Sequence, residues 1–509
     1  MNIQSSAPVL VIGAGIMGAG IAQVAAQAGH PVMLFDAREG AATDAIAKLG
    51  NSLNALVLKG KLDADAARAT LACIAPIDAL AQAAAAQIAI EAIVENLEAK
   101  RALFRELEAL VGADCVLASN TSSISITALA NGLQRPERVV GMHFFNPVPV
   151  MKLVEVVSGL RTEASVAAAI TGLATRWGKT AANARSTPGF IVNRIARPFY
   201  AETLALLHER AAEPAVLDAC LRGAGFRMGA CELMDLIGHD TNFAVTQSVY
   251  EANFGDKRFV PSLIQRELVD GGLLGRKSGR GFFDYANAEA RLPARPPVET
   301  ALPAAAGVVL HGGGVAIERW AEALAQAGRA FTREQDGWTG LEVDGAQLRL
   351  TDGRAAGLVA IREGVQDMAV FDLAAAKGGG SPGTPLAWAA SAGAQTRWQE
   401  QAPRWLSAAG WSPMRLCDAA GLVVARTIAM LINEAADAVA QGVCSEADAD
   451  AAMKLGVNYP AGPFEWLAAW DARAVVQVLD HLDNHYRGER YRVGLGLRQR
   501  AWQREALPH

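Results

Sequence analysis

The pattern of apolar and polar positions changes once along the first half of the chain, near Ser186. Before that point, short apolar runs alternate with longer alanine-rich segments whose apolar residues recur at helical spacing. The apolar runs predict strands within residues 9–12, 31–36, 88–96, 116–120, 138–146 and 152–157. Because strands that alternate with helices are typical of an α/β domain, we predict a doubly wound parallel sheet for residues 1–186.

A glycine motif follows the first predicted strand and opens the first predicted helix. Gly13 permits a tight turn, Gly15 leaves room for a pyrophosphate, and Gly18 lets the helix pack closely on the strand. Asp36, at the end of the second predicted strand, can accept hydrogen bonds from an adenosine ribose and would repel a 2′-phosphate. The motif predicts a Rossmann domain that binds NAD in preference to NADP. The alternative is a glycine-rich turn without a ligand.

Long helical patterns replace the alternation after Thr187. Residues 187–285 are therefore predicted to form an all-α domain. The next segment, residues 286–303, is rich in alanine, proline, arginine and glutamate, which is typical of a linker.

The rest of the chain repeats the first part in a reduced form. In residues 304–416 a strand, glycines and a helix follow one another again, but an alignment on Gly312 and Gly314 puts Ile317 at the place of the third glycine. The stretch G-L-V-V-A-R from Gly421 resembles G-F-I-V-N-R from Gly189. We predict an internal duplication: a degenerate Rossmann-like segment, then a second helical domain in residues 417–509. The alternative is a chance similarity of alanine-rich helices.

Composition excludes several classes of function. The chain has 509 residues, of which 51% are hydrophobic, and a net charge of −5, so no basic field favours nucleic acid. The six cysteines are scattered without metal-binding spacing, which favours reduced thiols, a cytoplasmic location and no structural metal. No apolar stretch is long enough to predict a membrane span.

Polar residues are predicted to converge at the carboxyl edge of the first sheet, where open α/β sheets bind ligands. The segment S-N-T-S-S from Ser119 follows one strand, His143 ends another, and Glu155 interrupts an apolar strand. A buried carboxylate needs a partner, and the imidazole of His143 would satisfy it. Such a pair forms a general acid/base unit, because the carboxylate selects the tautomer of the ring and stabilises its protonated form. The alternative is a hydrogen-bonded core histidine and a strand-edge charge.

Three stretches resemble the signature of the L-3-hydroxyacyl-CoA dehydrogenases. They are S-N-T-S-S from Ser119, G-M-H-F-F-N-P-V-P-V-M-K-L-V-E-V-V from Gly141, and T-P-G-F-I-V-N-R from Thr187. The resemblance covers about residues 7–285. It implies NAD-dependent oxidation of the 3-hydroxyl of an L-3-hydroxyacyl-CoA to the 3-oxoacyl-CoA, with hydride transfer to NAD.

The resemblance also implies roles for individual residues. His143 matches the catalytic base and Glu155 its partner, while Ser122 and Asn193 match residues that bind the substrate's oxygen atoms and help hold the nicotinamide. The positions that match the family's cofactor side are Glu95, Lys100, Asn146 and Lys277, and those near the CoA moiety are Ser52 and Lys59.

The two-part layout resembles the longer bacterial members of the family, a subgroup that includes the 3-hydroxyadipyl-CoA dehydrogenases of phenylacetate catabolism. A 3-hydroxybutyryl-CoA dehydrogenase, a general β-oxidation enzyme, another NAD dehydrogenase of the superfamily and a non-catalytic CoA-binding scaffold subunit stay open as alternatives. Ala425 occupies the place of Asn193 in the second helical domain, so the second half is expected to be structural. The two helical domains could pair within one chain as a pseudo-dimer or between chains in a homodimer.

Overall fold

The computed structural model describes residues 3–4, 6–286, 301–335 and 337–505. These residues form two compact units, one of Met1–Arg194 with Ala438–Val457 and one of Ile195–Asp437 with Asn458–His509. Residues 287–300 of the predicted linker lie outside the described part of the chain. Each unit contains one sheet.

The elements follow one another in an order that repeats the α/β alternation twice. The strands are β1 (Val9–Ile12), β2 (Val32–Phe35), β3 (Ile74–Pro76), β4 (Ile88–Glu91), β5 (Val116–Ser119), β6 (Val139–Phe144), β7 (Leu153–Ser158), β8 (Thr180–Arg185), β9 (Val308–His311), β10 (Thr332–Glu334), β11 (Gly340–Val343), β12 (Ala346–Leu350), β13 (Met368–Phe371), β14 (Thr384–Ala390) and β15 (Trp411–Arg415). The helices up to the predicted linker are α1 (Ile16–Gln27), α2 (Ala41–Leu58), α3 (Ala64–Ala72), α4 (Leu97–Leu110), α5 (Ile126–Ala130), α6 (Ala164–Arg176), α7 (Val192–Ile195), α8 (Arg197–His208), α9 (Pro214–Gly223), α10 (Ala230–Ile237), α11 (His239–Ala252) and α12 (Leu263–Asp270). The helices after it are α13 (Val315–Gln326), α14 (Ala356–Glu363), α15 (Thr396–Ala408), α16 (Val424–Ala440), α17 (Glu446–Gly456), α18 (Pro463–Trp470), α19 (Ala472–Tyr486) and α20 (Leu495–Glu505).

The sheet of the first unit has the strand order β3-β2-β1-β4-β5-β6-β7-β8. Strands β1 to β6 are parallel, and β1, β4 and β5 are buried along their whole length, as strands covered on both faces must be. The predicted doubly wound sheet is confirmed for these six strands.

The prediction of a wholly parallel sheet is wrong for the last two strands. Strand β7 runs antiparallel to β6, and β8 runs parallel to β7. Residues 145–152 connect β6 to β7 without a helix, and such a short connection allows an antiparallel return but no parallel crossover. The strand predicted for residues 88–96 is also shorter, because the side chain of Asn96 accepts a hydrogen bond from the backbone N–H of Ala99 (3.0 Å) and caps α4.

A segment from near the C-terminus completes the first unit. The backbone N–H of Arg185 in β8 donates to the carbonyl of Val443 (2.8 Å), and that of Asn183 donates to Asp448 Oδ1 (3.1 Å). Strand β8 lies at the edge of the sheet, where unpaired backbone groups invite association. Residues 438–457 therefore protect an edge that the first half of the chain leaves open.

The sheet of the second unit has the order β10-β9-β11-β12-β13-β14-β15. The glycine-containing turn again follows a first strand that pairs in parallel with a second, and the last two strands are again parallel to each other. The strand next to β9 differs: β11 runs antiparallel to both β9 and β12. The degenerate Rossmann-like segment that the duplication predicted is thus present, with one strand reversed.

The two helical repeats contact each other within the second unit. The carboxylate of Glu202 in α8 is fully buried and lies 3.0 Å from Arg426 Nε and 2.9 Å from Arg490 Nη2, both from the second repeat. The hydroxyl of Tyr491 donates to the same carboxylate (2.9 Å). The contact between the two helical repeats therefore contains a buried ion pair. The apolar pattern of the helices did not predict this pair. In the described part of the chain, no helix combines the length and the apolar character needed to cross a bilayer.

Candidate active site

His143 and Glu155 lie opposite each other on the antiparallel pair β6 and β7. Residues that face each other across such a pair share one face of the sheet, so their side chains meet. The imidazole Nδ1 is 2.6 Å from Glu155 Oε2, and both side chains are buried. The predicted pairing of the two residues is confirmed.

The second carboxylate oxygen of Glu155 is bound by backbone. Glu155 Oε1 accepts hydrogen bonds from the N–H groups of Ile191 (3.0 Å) and Val192 (2.9 Å) at the start of α7. A carboxylate with this surrounding acts as an acceptor, so Nδ1 of His143 is the donor of their bond. The lone pair of the neutral ring is then on Nε2, which leaves that nitrogen able to take a proton.

Asn193 and Ser122 join this pair through the same helix start. Asn193 follows Val192 directly, and its side-chain amide donates to the carbonyl of Ser122 (3.5 Å). Both side chains are half-buried, so they are accessible at the edge of the sheet. The structure therefore brings together all four residues that the sequence singled out for catalysis, each from a different segment of the first unit.

Glu95 organises the loop that carries Ser122. Its Oε1 accepts hydrogen bonds from the backbone N–H groups of Ser122 (3.0 Å) and Ser123 (3.1 Å) and from the hydroxyl of Thr121 (2.6 Å). Burial acts to raise the pKa of Glu95, but the hydrogen bonds from Thr121 and Ser123 and the charge of Lys100 outweigh it, so its pKa is lowered. The carboxylate form holds the loop in place.

Glu91 is a site residue that the sequence analysis missed. This fully buried carboxylate at the end of β4 lies 2.6 Å from the ammonium of Lys100 and accepts a hydrogen bond from the hydroxyl of Ser119 (2.6 Å). Lys100 also lies 3.3 Å from Glu95 Oε2. The signal was available, because Glu91 interrupts an apolar strand just as Glu155 does. Lys100, expected on the cofactor side, is buried between these two carboxylates.

The glycine turn fits a dinucleotide. Gly13 has φ = 101°, and a Cβ on Gly18 would lie 1.7 Å from the carbonyl oxygen of Gly13, so helix and turn are in closest contact there. A Cβ on Gly15 would meet nothing within 4 Å, which leaves the space before the helix open. Asp36 accepts a hydrogen bond from the N–H of Ala14 (2.7 Å) and is partly exposed beside the turn. These residues would hold the pyrophosphate and the ribose.

The remaining predicted site residues belong to other parts of the chain. Ser52 and Lys59 are exposed at the C-terminal part of α2, and Asn146 is exposed on the loop after β6. Lys277 belongs to the second unit, where its ammonium lies 2.5 Å from Asp240 Oδ1. Their expected contacts with cofactor and CoA stay predictions. Among the described residues, no group of His, Cys, Asp and Glu side chains could hold a metal ion.

Comparisons with known proteins agree with this geometry. The family model of the NAD-binding domain of 3-hydroxyacyl-CoA dehydrogenases matches residues 8–187, and that of their C-terminal domain matches residues 189–285 and 421–502. A 3-hydroxyadipyl-CoA dehydrogenase of Escherichia coli is 44% identical over 503 residues, which is 98% of each chain. The chain belongs to the 3-hydroxyacyl-CoA dehydrogenase family.

Solved structures extend the similarity to the second half. A crystal structure of a 3-hydroxybutyryl-CoA dehydrogenase from Escherichia coli covers 99% of the chain with a TM-score of 0.87 and 42% identity. That of an (S)-3-hydroxybutyryl-CoA dehydrogenase from Ralstonia eutropha covers 55%, with a TM-score of 0.53 and 40% identity. The family model of the reduced Rossmann-fold domain of 3-hydroxybutyryl-CoA dehydrogenase matches residues 348–419. The protein is an NAD-dependent 3-hydroxyacyl-CoA dehydrogenase.

Among the described residues, the second sheet of this dehydrogenase has neither an acid at the place of Asp36 nor a glycine at the place of Gly18. The N–H of Gly312 donates to the carbonyl of Glu334 (2.8 Å), as that of Gly13 donates to Phe35, so Gln335 takes the place of Asp36. Ile317, at the place of Gly18, is fully buried. A glutamine lacks the carboxylate that accepts hydrogen bonds from the ribose hydroxyls. The side chain of Ile317 also occupies the place where Gly18 lets helix and turn approach closely.

We expect loss of the base to slow catalysis while leaving cofactor binding intact. His143→Ala should lower kcat by roughly 10²- to 10⁴-fold, because no group then accepts the hydroxyl proton. Glu155→Gln should also lower kcat, because an amide that faces Nδ1 favours the tautomer with the proton on Nε2. We expect this effect to be smaller, since the imidazole itself is still present. Initial rates of NADH formation measure both effects, and calorimetric titration with NAD provides the control. Near-wild-type turnover of His143→Ala would exclude this residue as the base.

We also expect one NAD per chain. The glycine turn of the first unit has its ribose acid and its close helix contact, whereas the second sheet has Gln335 and Ile317 at those places. Calorimetric titration should therefore give a stoichiometry near one. Gly15→Val, which fills the open space before α1, should abolish that single binding event. Two equivalent events in the wild type, or one that survives Gly15→Val, would show that the second half binds the cofactor.

Proposed function

We propose that this dehydrogenase oxidises L-3-hydroxyadipyl-CoA to 3-oxoadipyl-CoA, with His143 as the general base. The observation that carries the chemistry is the buried His143–Glu155 pair, whose geometry leaves Nε2 as the proton acceptor. The support for the substrate is the similarity along nearly the whole chain to a 3-hydroxyadipyl-CoA dehydrogenase.

In this proposal, bound NAD supplies the hydride acceptor. Ser122 and Asn193 bind the 3-hydroxyl and the thioester oxygen and so direct the hydroxyl toward His143. As the C3–H bond breaks with its electron pair, the O–H proton passes to Nε2 of His143 and the C3–O bond becomes a carbonyl. The carboxylate of Glu155 stabilises the imidazolium that forms, and its hydrogen bonds to backbone fix its position.

Glu95 and Lys100 act in this proposal as positioning residues. Glu95 binds the backbone of Ser122, and the buried ammonium of Lys100 forms ion pairs with both Glu95 and Glu91. Ser52 and Lys59 on α2 are proposed to contact CoA, whose phosphates a lysine would attract. Asn146 and Lys277 are proposed contacts on the cofactor side.

A 3-hydroxybutyryl-CoA dehydrogenase is the second candidate. It is favoured by the similarity of 99% of this chain to the solved structure of a 3-hydroxybutyryl-CoA dehydrogenase from Escherichia coli. The two candidates share the chemistry at C3 and differ at the far end of the acyl chain, which is a carboxylate in one and a methyl group in the other.

A substrate panel tests the proposal. We expect the highest kcat/KM with 3-hydroxyadipyl-CoA among the 3-hydroxybutyryl, 3-hydroxyhexanoyl and 3-hydroxyadipyl thioesters, measured as NADH formation. A kcat/KM for the butyryl substrate that equals or exceeds the adipyl value would favour the second candidate. Absence of NADH formation with every thioester would favour a non-catalytic scaffold.

The choice of cofactor provides a separate test. We expect kcat/KM to favour NAD over NADP by about 10²-fold or more, because like charges brought together cost several kcal/mol and Asp36 would face the 2′-phosphate. Asp36→Asn should reduce this preference, since it removes the charge and keeps an oxygen that can accept the bond from Ala14. Asp44→Asn, on the first turn of α2, serves as the control. Comparable values for both cofactors in the wild type would contradict the assignment.

A further inference from the structure

The segment 438–457 contacts more of the first unit than the outer strand β8. Its helix α17 also packs against β7, the strand that carries Glu155. The hydrogen bonds that cover the backbone of β8 come from Val443 and Asp448. Contacts with β7 add nothing to the protection of that edge, because β7 lies inside the sheet. They therefore need a separate explanation.

Gly456, the last residue of α17, lies against both sides of one hydrogen bond in the candidate active site. A Cβ at Gly456 would lie 2.7 Å from Leu153 Cδ2 and 3.0 Å from Val192 Cγ2, closer than ordinary carbon contacts. Leu153 begins β7, two residues before Glu155, and the backbone N–H of Val192 donates to Glu155 Oε1 (2.9 Å). Gly456 thus allows α17 to touch both the strand and the helix start that this hydrogen bond joins.

The side chains around Gly456 leave little room for a larger residue. Gly456 is itself buried, Leu153 is fully buried and Val192 is 2% exposed. Protein interiors are closely packed, so an added methyl group shifts its neighbours. A shift of Val192 would move its N–H relative to the carboxylate of Glu155.

A second contact from the same segment reaches the residue that follows Asn193. Arg194 is 5% exposed, and its Nη1 donates a hydrogen bond to Oε1 of Gln441 (2.9 Å). A hydrogen bond from a charged group is stronger than one between neutral groups. The start of α7 is therefore bound by the carboxylate of Glu155 through its backbone and by the segment 438–457 through Arg194.

We propose that the segment 438–457 positions the active site, with Gly456 and Gln441 as its positioning residues. The inference rests on the proposed function, because it takes Glu155 as the partner of the base and Asn193 as a substrate ligand. The two contacts hold the start of α7 at a fixed distance from β7. This distance sets the direction in which the carboxylate faces the imidazole and the place of the Asn193 amide. Catalysis is sensitive to such placement, since a misplacement of about 1 Å can cost about 10²-fold in rate.

The first variant is Gly456→Ala. Its methyl group should displace the start of α7, so we expect kcat to fall about 10-fold. The KM for NAD should stay within about twofold of the wild-type value, because the substitution leaves the glycine turn of the cofactor site unchanged. Turnover is expressed per NAD-binding site, counted by calorimetric titration, so that unfolded protein does not contribute to the measured kcat.

Gly132→Ala is the matched control within the first unit. Gly132 is exposed and has φ = 88°, and a Cβ there would lie 3.8 Å from its nearest neighbour, in the side chain of Arg105. An alanine at this positive φ is strained but displaces no neighbour. The control should lower Tm and keep kcat within about twofold of wild type, which separates a loss of stability from a loss of position.

A double-mutant cycle tests whether the effect of Gly456→Ala passes through Val192. Val192→Ala removes both methyl groups near the new Cβ and keeps the N–H that binds Glu155. In this background Gly456→Ala should lower kcat less than about threefold, because residues in direct contact have non-additive effects. An equal factor in both backgrounds would show that the glycine does not act through α7 and would overturn the proposal.

Gln441 provides an independent measurement on an exposed residue. Gln441→Ala should lower kcat about fivefold, as for loss of one hydrogen bond to a charged group. Gln441→Glu keeps an oxygen that accepts from Arg194 and should keep the wild-type kcat. Equal kcat values in these two variants would overturn the role of Gln441. If Gly456→Ala does not fold, as judged by circular dichroism, this pair decides the whole proposal.

The same assays separate a failure of this inference from a failure of the proposed function. All variants are assayed with the thioester that gives the wild type its highest kcat/KM, so the identity of the acyl chain does not affect the comparison. If His143→Ala keeps near-wild-type turnover, the proposed base and the positioning role that depends on it are both wrong. If His143→Ala is impaired but kcat of Gly456→Ala and Gln441→Ala stays within about twofold of wild type, only the positioning role is overturned.

Discussion

The carboxylate of Glu155 is the contact on which the candidate active site depends. One of its oxygens binds Nδ1 of His143, and the other binds the backbone at the start of α7, which carries Asn193. A single buried charge thus sets the tautomer of the base and the position of a proposed substrate ligand. Removal of a buried charge's partners is costly, so the strand, the ring and the helix start are held together as one group.

The second half keeps half of this arrangement. Asp372, fully buried at the end of β13, accepts hydrogen bonds from the N–H groups of Val423 (2.8 Å), Val424 (2.7 Å) and Ala425 (2.9 Å). Burial raises the pKa of Asp372 to about 6, against these bonds, which lower it. Both of its oxygens bind backbone, whereas Glu155 reserves one for an imidazole. A helix start capped by a buried carboxylate is therefore a structural device of this fold, and in the first half the same carboxylate also binds His143.

The second half also completes structural features of the first half. Its segment 438–457 covers the outer strand β8 of the first unit, and its Arg426 and Arg490 neutralise Glu202 in the first helical repeat. An exposed sheet edge and an unpaired buried carboxylate would each be unfavourable. The first half therefore depends on the second half to cover the edge of β8 and to pair the buried carboxylate of Glu202.

The sequence by itself determined the elements and most of the chemistry. Alternating apolar runs placed the strands of the first sheet, and the glycine turn with Asp36 identified the dinucleotide site. An acid inside an apolar run pointed to Glu155, because a buried charge is costly without a partner. Each of these signals lies within a short stretch of sequence. The same reasoning could have identified Glu91. Only the tertiary structure decided the reversal of β7 and β11, the use of residues 438–457 to cover β8, and the groups that neutralise Lys100 and Glu202. These features pair residues that are distant in the chain, and no periodicity in a single sequence records which distant groups meet.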